Sequence, residues 1–128
     1  MKRLILLVAA LCLATSAASS PFSTTSKLID MCEAAEGEPS NNVEAGRSLA
    51  CVGYLMGIMG AQHLAKLRGS EDCDTFTYTG RDLVRVYLAK VSQLRATSKG
   101  QQSLRDAEKA PYIIAYKALQ DAYPCKME

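Results

Sequence analysis

The residues of this 128-residue chain best able to do chemistry are five cysteines and one histidine. Cys12 lies in an apolar N-terminal run, and Cys32, Cys51, Cys73 and Cys125 follow it. An even number of cysteines in a small exported chain points to disulfides rather than thiolate chemistry. Four cysteines allow three pairings. Their positions favour Cys32–Cys51, on consecutive predicted helices, and Cys73–Cys125, in a loop and near the C-terminus. A structural zinc site needs four ligands, usually with close cysteine spacing. The chain has no CxxC pair and only His63, so no metal and no cofactor is expected. No serine has a base placed beside it in the sequence, and oxidised cysteines cannot act as nucleophiles. Asp72 and Asp74 form a small acidic cluster in a loop, and loop carboxylates alone do not make a hydrolytic pair. The expectation is a protein that is not an enzyme.

The N-terminus reads as a secretory signal. Lys2 and Arg3 precede the apolar stretch 4–14, and Ser16-Ala17-Ala18 offers small residues for cleavage after Ala18. The run is short of the roughly 20 residues a span needs. Leu11 before Cys12 does not suit lipoprotein processing. The expected domains are a signal peptide at 1–18 and a single helical domain at 19–128, large enough for one core. Setting aside Lys2 and Arg3, the 15 basic residues become 13, equal to the 13 acidic ones. That balance gives no reason to expect nucleic acid or an anionic membrane as partner. The charges are still uneven along the chain. Asp30, Glu33, Glu36, Glu38 and Glu44 come early, whereas Arg81, Arg85, Lys90, Arg95, Lys99 and Arg105 come later.

One stretch organises the rest. Residues 44–68 are apolar, proline-free and uncharged between Arg47 and Lys66. Gly46, Gly53, Gly57 and Gly60 punctuate it. At about 100° per residue they share a stripe about 60° wide. Each glycine inside a helix costs roughly 1 kcal/mol against alanine, so a line of them implies close approach of another backbone. Leu49, Cys51, Val52, Leu55, Met56 and Ile58 cover the other faces, and a helix apolar all round is a buried one. Close packing inside a soluble helical domain is the first reading. A helix-to-helix homodimer contact is the second, and a membrane helix with small-xxx-small spacing the third.

Four main helices with short loops follow from the pattern. The first spans 26–36, with Thr25 as N-cap and Leu28, Met31, Cys32 and Ala35 inward. The long second helix starts at Asn41 with Glu44 in a capping-box-like spacing, has Lys66 and Arg68 in its last turn, and stops at Gly69. Residues 70–79 are irregular, with brief strand character. Thr79 and Asp82 open a third helix ending near Leu94, with Leu83, Val84, Tyr87, Leu88 and Val91 at helical spacing. Residues 96–110 are polar, with one short helical turn near 104–108. Pro111 opens the fourth helix, which faces Ile113, Ala115, Tyr116, Leu119 and Ala122 inward, and Pro124 forbids its continuation. The fold class is all-α, a small disulfide-stapled bundle of about four main helices around a long central one.

Several local motifs together resemble the periplasmic immunity proteins of type VI secretion systems that neutralise cell-wall amidase effectors. They are Leu28-Ile29-Asp30-Met31-Cys32 on the first helix and Cys51-Val-Gly-Tyr54-Leu-Met-Gly57 on the second. A cysteine loop and amphipathic helix follow at 73–94, then Ala118-Leu119 and Tyr123-Pro124-Cys125 at the end. Two loops depart from the family pattern: no proline follows Cys73 closely, and Gln101-Gln102-Ser103 stands where a proline often precedes the last helical segment. The resemblance implies a small helical protein of the periplasm, often a homodimer, that binds an amidase effector and occludes its active-site cleft. Partner contact is expected from the loops at 71–78 and 96–106, through Asp72, Asp74, Phe76, Tyr78, Gln101 and Gln102, with Phe76 and Tyr78 as aromatic anchors. A non-enzymatic periplasmic binding or chaperone-like protein without a toxin partner is the alternative. No membrane contact is expected once the signal is removed.

Overall fold

The structure is a computed structural model that describes residues 22–67 and 77–124, with backbone only at 65–67. Among the described residues there are five α-helices and no strand: α1 (Thr25–Glu33), α2 (Asn42–Leu67), α3 (Gly80–Arg95), α4 (Ser98–Asp106) and α5 (Pro111–Ala122). The all-α expectation holds, with one helix more than foreseen. Expectations for the signal peptide, Lys66, Arg68, Gly69, Asp72, Cys73, Asp74, Phe76 and Cys125 lie outside the described residues, as does most of the irregular stretch 70–79.

Local sequence explains where the helices begin. The α1 N-cap is Thr24, whose Oγ1 accepts from the Lys27 N–H. Thr25, expected as the cap, is instead the first helical residue and is 1% exposed. Its Oγ1 donates to the Ala107 carbonyl at 2.6 Å, and its N–H donates to the Glu108 carbonyl at 2.9 Å. The Glu108 carboxylate accepts from the Ser26 hydroxyl, placing negative charge at the positive end of the helix. These bonds moor the start of α1 on the α4–α5 connection.

Asn41 caps α2, its Oδ1 accepting from the N–H groups of Val43 and Glu44. The reciprocal bond differs from the expected box: Glu44 accepts from the N–H and hydroxyl of Ser40, one residue further out. Thr79 and Asp82 form the complete capping box of α3. Thr97 caps α4 through the Gly100 N–H, and Pro111 occupies the first turn of α5.

The packing pivot is α3, which lies against each of the other four helices. Its Leu83, Val84, Tyr87 and Val91 meet Leu28 and Cys32 of α1, Cys51, Leu55 and Met59 of α2, and Ala115 and Leu119 of α5 in one core. Burial of these apolar side chains is the main source of stability in a domain this small. The long helix α2 also lies against α1, α3 and α5, so α2 and α3 together make the centre of the bundle. The inward face of α5 is also turned by about one residue from the expected one. Ile114, Ala115, Ala118 and Leu119 are buried, while Ile113 and Tyr116 are 43% and 41% exposed.

Candidate partner-binding surface

The scaffold is fixed first by a disulfide. Cys32 and Cys51 are bonded with Cα atoms 5.2 Å apart, and both are 0% exposed. The bridge ties α1 to the buried side of α2, so the opposite side of α2 faces away from α1. Gln62 marks that buried side as well. It is 2% exposed and its Nε2 donates to the Tyr116 carbonyl at 2.9 Å, joining α2 to α5. A buried amide with a partner holds register without leaving an unmet polar group.

The glycine stripe lies on the side of α2 away from the core. Gly46, Gly53, Gly57 and Gly60 are exposed, and a Cβ at any of them would meet nothing within 4 Å. Close approach by another helix of this domain is therefore not found among the described residues. The reason is geometric: Cys51, Leu55, Met59 and Gln62 point into the core, and about 100° per residue puts the glycines on the far side. The glycines that do take part in close packing are two others. A Cβ on Gly80 would meet the Val52 side chain, and one on Gly100 would collide with the Leu94 carbonyl and Cα.

The expectation that α2 is buried all round is corrected with it. Val43, Leu49, Met56 and Leu64 are 67%, 73%, 52% and 66% exposed. The other large apolar side chains with comparable exposure among the described residues are Tyr112, Ile113 and Tyr116, all on α5. Two neighbouring helices thus carry all of them, and α1, α3 and α4 carry none. The first sequence reading, close packing inside the domain, took the apolar residues of α2 as core, and the exposure of this face corrects it. The signal was present in the uncharged stripe, since a helix face lacking both bulk and charge need not be an inward face.

The expected contact residues divide between described and undescribed chain. Tyr78 is half-buried, its ring centroid 5.6 Å from that of Tyr123. Gln101 and Gln102 lie on α4, not in a loop. The Gln101 Nε2 donates to the Arg95 carbonyl, while Gln102 donates to Asp106 and accepts from Arg105. The structure brings Gln101 and Gln102 together on one exposed helix.

The early acidic and later basic residues meet in the fold. A groove of about 410 Å³ between α1 and α3 has Glu33 and Glu36 on one side and Arg85 and Arg95 on the other. Arg95 donates to Glu33 at 3.0 Å across it. On the other side of α3, Lys90 pairs with Asp121 of α5 at 2.6 Å. His63 is half-buried, and among the described residues no cluster of three or more histidine, cysteine or carboxylate side chains could hold a metal. Hydrogen bonds from Thr79, first its backbone N–H and then its hydroxyl, hold the Asp82 carboxyl below its usual range. Burial pushes the Tyr87 hydroxyl strongly up. Both shifts belong to structure: one is a helix cap and the other a core residue.

Fold and surface together define a small, disulfide-stapled helical protein whose exposed features suit contact with another protein. The family model of the Rap1a immunity proteins matches residues 24–125, and the chain belongs to that family. No curated protein and no solved structure matches it. Among the described residues no helix is long and apolar enough to cross a membrane.

Proposed function

We propose that the chain is a periplasmic immunity protein that binds a peptidoglycan amidase delivered by type VI secretion and occludes its active site. The observation that carries this reading is the immunity-family match across residues 24–125, which covers all five helices. The motifs of α1, α2 and the C-terminal segment add the resemblance to amidase-neutralising members. Occlusion requires no reaction from the inhibitor. It requires a rigid body that presents a fixed surface, and that is what the bridge between α1 and α2, the α3 pivot and the capped helices supply.

The proposed path starts with export through the signal peptide at 1–18 and continues with oxidation in the periplasm, the compartment that favours disulfides. The folded domain at 19–128 then meets the effector. Residues 71–78, with Asp72, Asp74, Phe76 and Tyr78, and the exposed side of α4, with Gln101 and Gln102, are the proposed contacts. Basic residues of α3 and α4 help orient the approach through long-range attraction. Co-purification of the mature chain with a peptidoglycan amidase effector from its own genome tests the proposal, and the failure of every such amidase to elute with it would overturn it.

A further inference from the structure

We propose that the cavity between α3, α4 and α5 anchors an apolar side chain of the amidase effector, carried beside a carboxylate. This inference rests on the immunity reading above and deepens it by naming a contact. The cavity holds about 320 Å³, at the small end of ligand-sized clefts. Its apolar walls are Leu94 of α3, Ala107 at the end of α4, and Ile113 and Ile114 of α5. Small side chains make the space, since Ser103 and Ala107 line it where larger residues would close it.

The cavity is preformed. Ala107 is 3% exposed, its carbonyl accepts from the Thr25 hydroxyl at 2.6 Å, and its N–H donates to the Ser103 carbonyl. That wall stands before any partner arrives, which lowers the ordering cost of binding. The lip is apolar as well, because Ile113 is 43% exposed. A cavity with an apolar lip suits a side chain that projects from a larger body, as interface anchors do. The groove between α1 and α3 differs in this respect, because the Arg95–Glu33 pair crosses it and its charges already meet.

Charge at the rim selects what accompanies that side chain. Lys90, Asp106 and Lys117 line the cavity. Lys90 is held by Asp121 at 2.6 Å, and Asp106 accepts from Gln102 at 2.7 Å. Lys117 is exposed and makes no ion pair among the described residues. The uncommitted charge is therefore an ammonium, and its complement is a carboxylate on the partner. The Gln102–Asp106 bond also joins this rim to the α4 residues proposed above for effector contact, so the two make one surface.

The test is the affinity of the oxidised mature chain for the amidase effector that co-purifies with it, beside Ser103→Trp and Lys117→Glu variants. Ser103 is half-buried, and its hydroxyl bonds only to the Lys99 carbonyl of its own helix. Tryptophan there plugs the cavity without emptying the core, and helical circular dichroism checks the fold. Ser103→Trp should weaken binding about tenfold or more. Lys117→Glu should slow association about tenfold at low salt, and the difference should shrink as salt rises. Wild-type affinity in the Ser103→Trp variant overturns the inference and leaves the immunity reading standing. A wild type that binds no amidase overturns both. Binding lost in Leu49→Glu but kept in the two cavity variants overturns the inference by placing the contact on α2. A wild-type dimer that Ser103→Trp splits, or a small amphipathic anion released from the denatured wild type, overturns it by giving the cavity another occupant.

Discussion

Gly100 lies against the backbone of Leu94 with no space for a Cβ, so the first turn of α4 closes directly on the last turn of α3. Relief of such a clash requires backbone movement, because the opposing atoms are a carbonyl and a Cα. Gly100→Ala should therefore destabilise the domain by about 1–3 kcal/mol. Gly80→Ala faces only the Val52 side chain, not backbone, and should cost less. Urea midpoints of the two variants decide the order. Equal midpoints would show that α4 can shift away from α3 freely.

Much of α3 and α5 was legible from sequence, and α4 was not. Thr79 and Asp82 announced α3, and Pro111 announced α5, because capping and ring constraints are local. The α4 segment is polar and buries Gly100 almost alone, so hydrophobic periodicity has little to detect. Its signals were Thr97 three residues before Gly100 and the Gln102, Arg105 and Asp106 spacing along one helix face. The glycine line of α2 was visible too, yet its direction depends on where α3 and α5 pack. That is tertiary information which a single helix does not contain.

Tyr87 is 0% exposed, and its hydroxyl has no hydrogen-bond partner among the described residues. Removing an unpaired buried hydroxyl while keeping the ring should be neutral or stabilising. Tyr87→Phe is expected to match or exceed the wild-type midpoint. Tyr87→Ala should lose about 3–5 kcal/mol, since it empties the centre of the core. A large loss in the phenylalanine variant would reveal a partner for the hydroxyl.

The Cys32–Cys51 bridge closes a short loop, with a sequence separation of 19. In the chain-entropy account such a loop contributes about 3 kcal/mol. Replacing both cysteines with alanine should lower stability by at least that amount, because both sulfurs are also core atoms. Chemical denaturation of the wild type with and without reductant, beside the double variant, measures it. An unchanged midpoint on verified reduction would show that packing alone holds α1 to α2.

The caps give the protein an acid limb. Hydrogen bonds from Thr79 lower the Asp82 carboxyl, and those from Ser40, backbone first, lower Glu44. Carboxyls with depressed folded values stabilise at neutral pH, and that stability is lost as pH falls through those values, below about 4. Thermal midpoints should fall on acidification through that window. Asp82→Asn should shrink the fall, and an identical pH profile in that variant would remove the α3 cap as its source.

The most direct measurement of neutralisation is peptidoglycan crosslink cleavage by the amidase effector that co-purifies with the chain, titrated with the purified, oxidised mature chain. Cleavage should stop at a fixed stoichiometric ratio, while an unrelated amidase continues unaffected. Undiminished cleavage with the chain in excess would contradict the account.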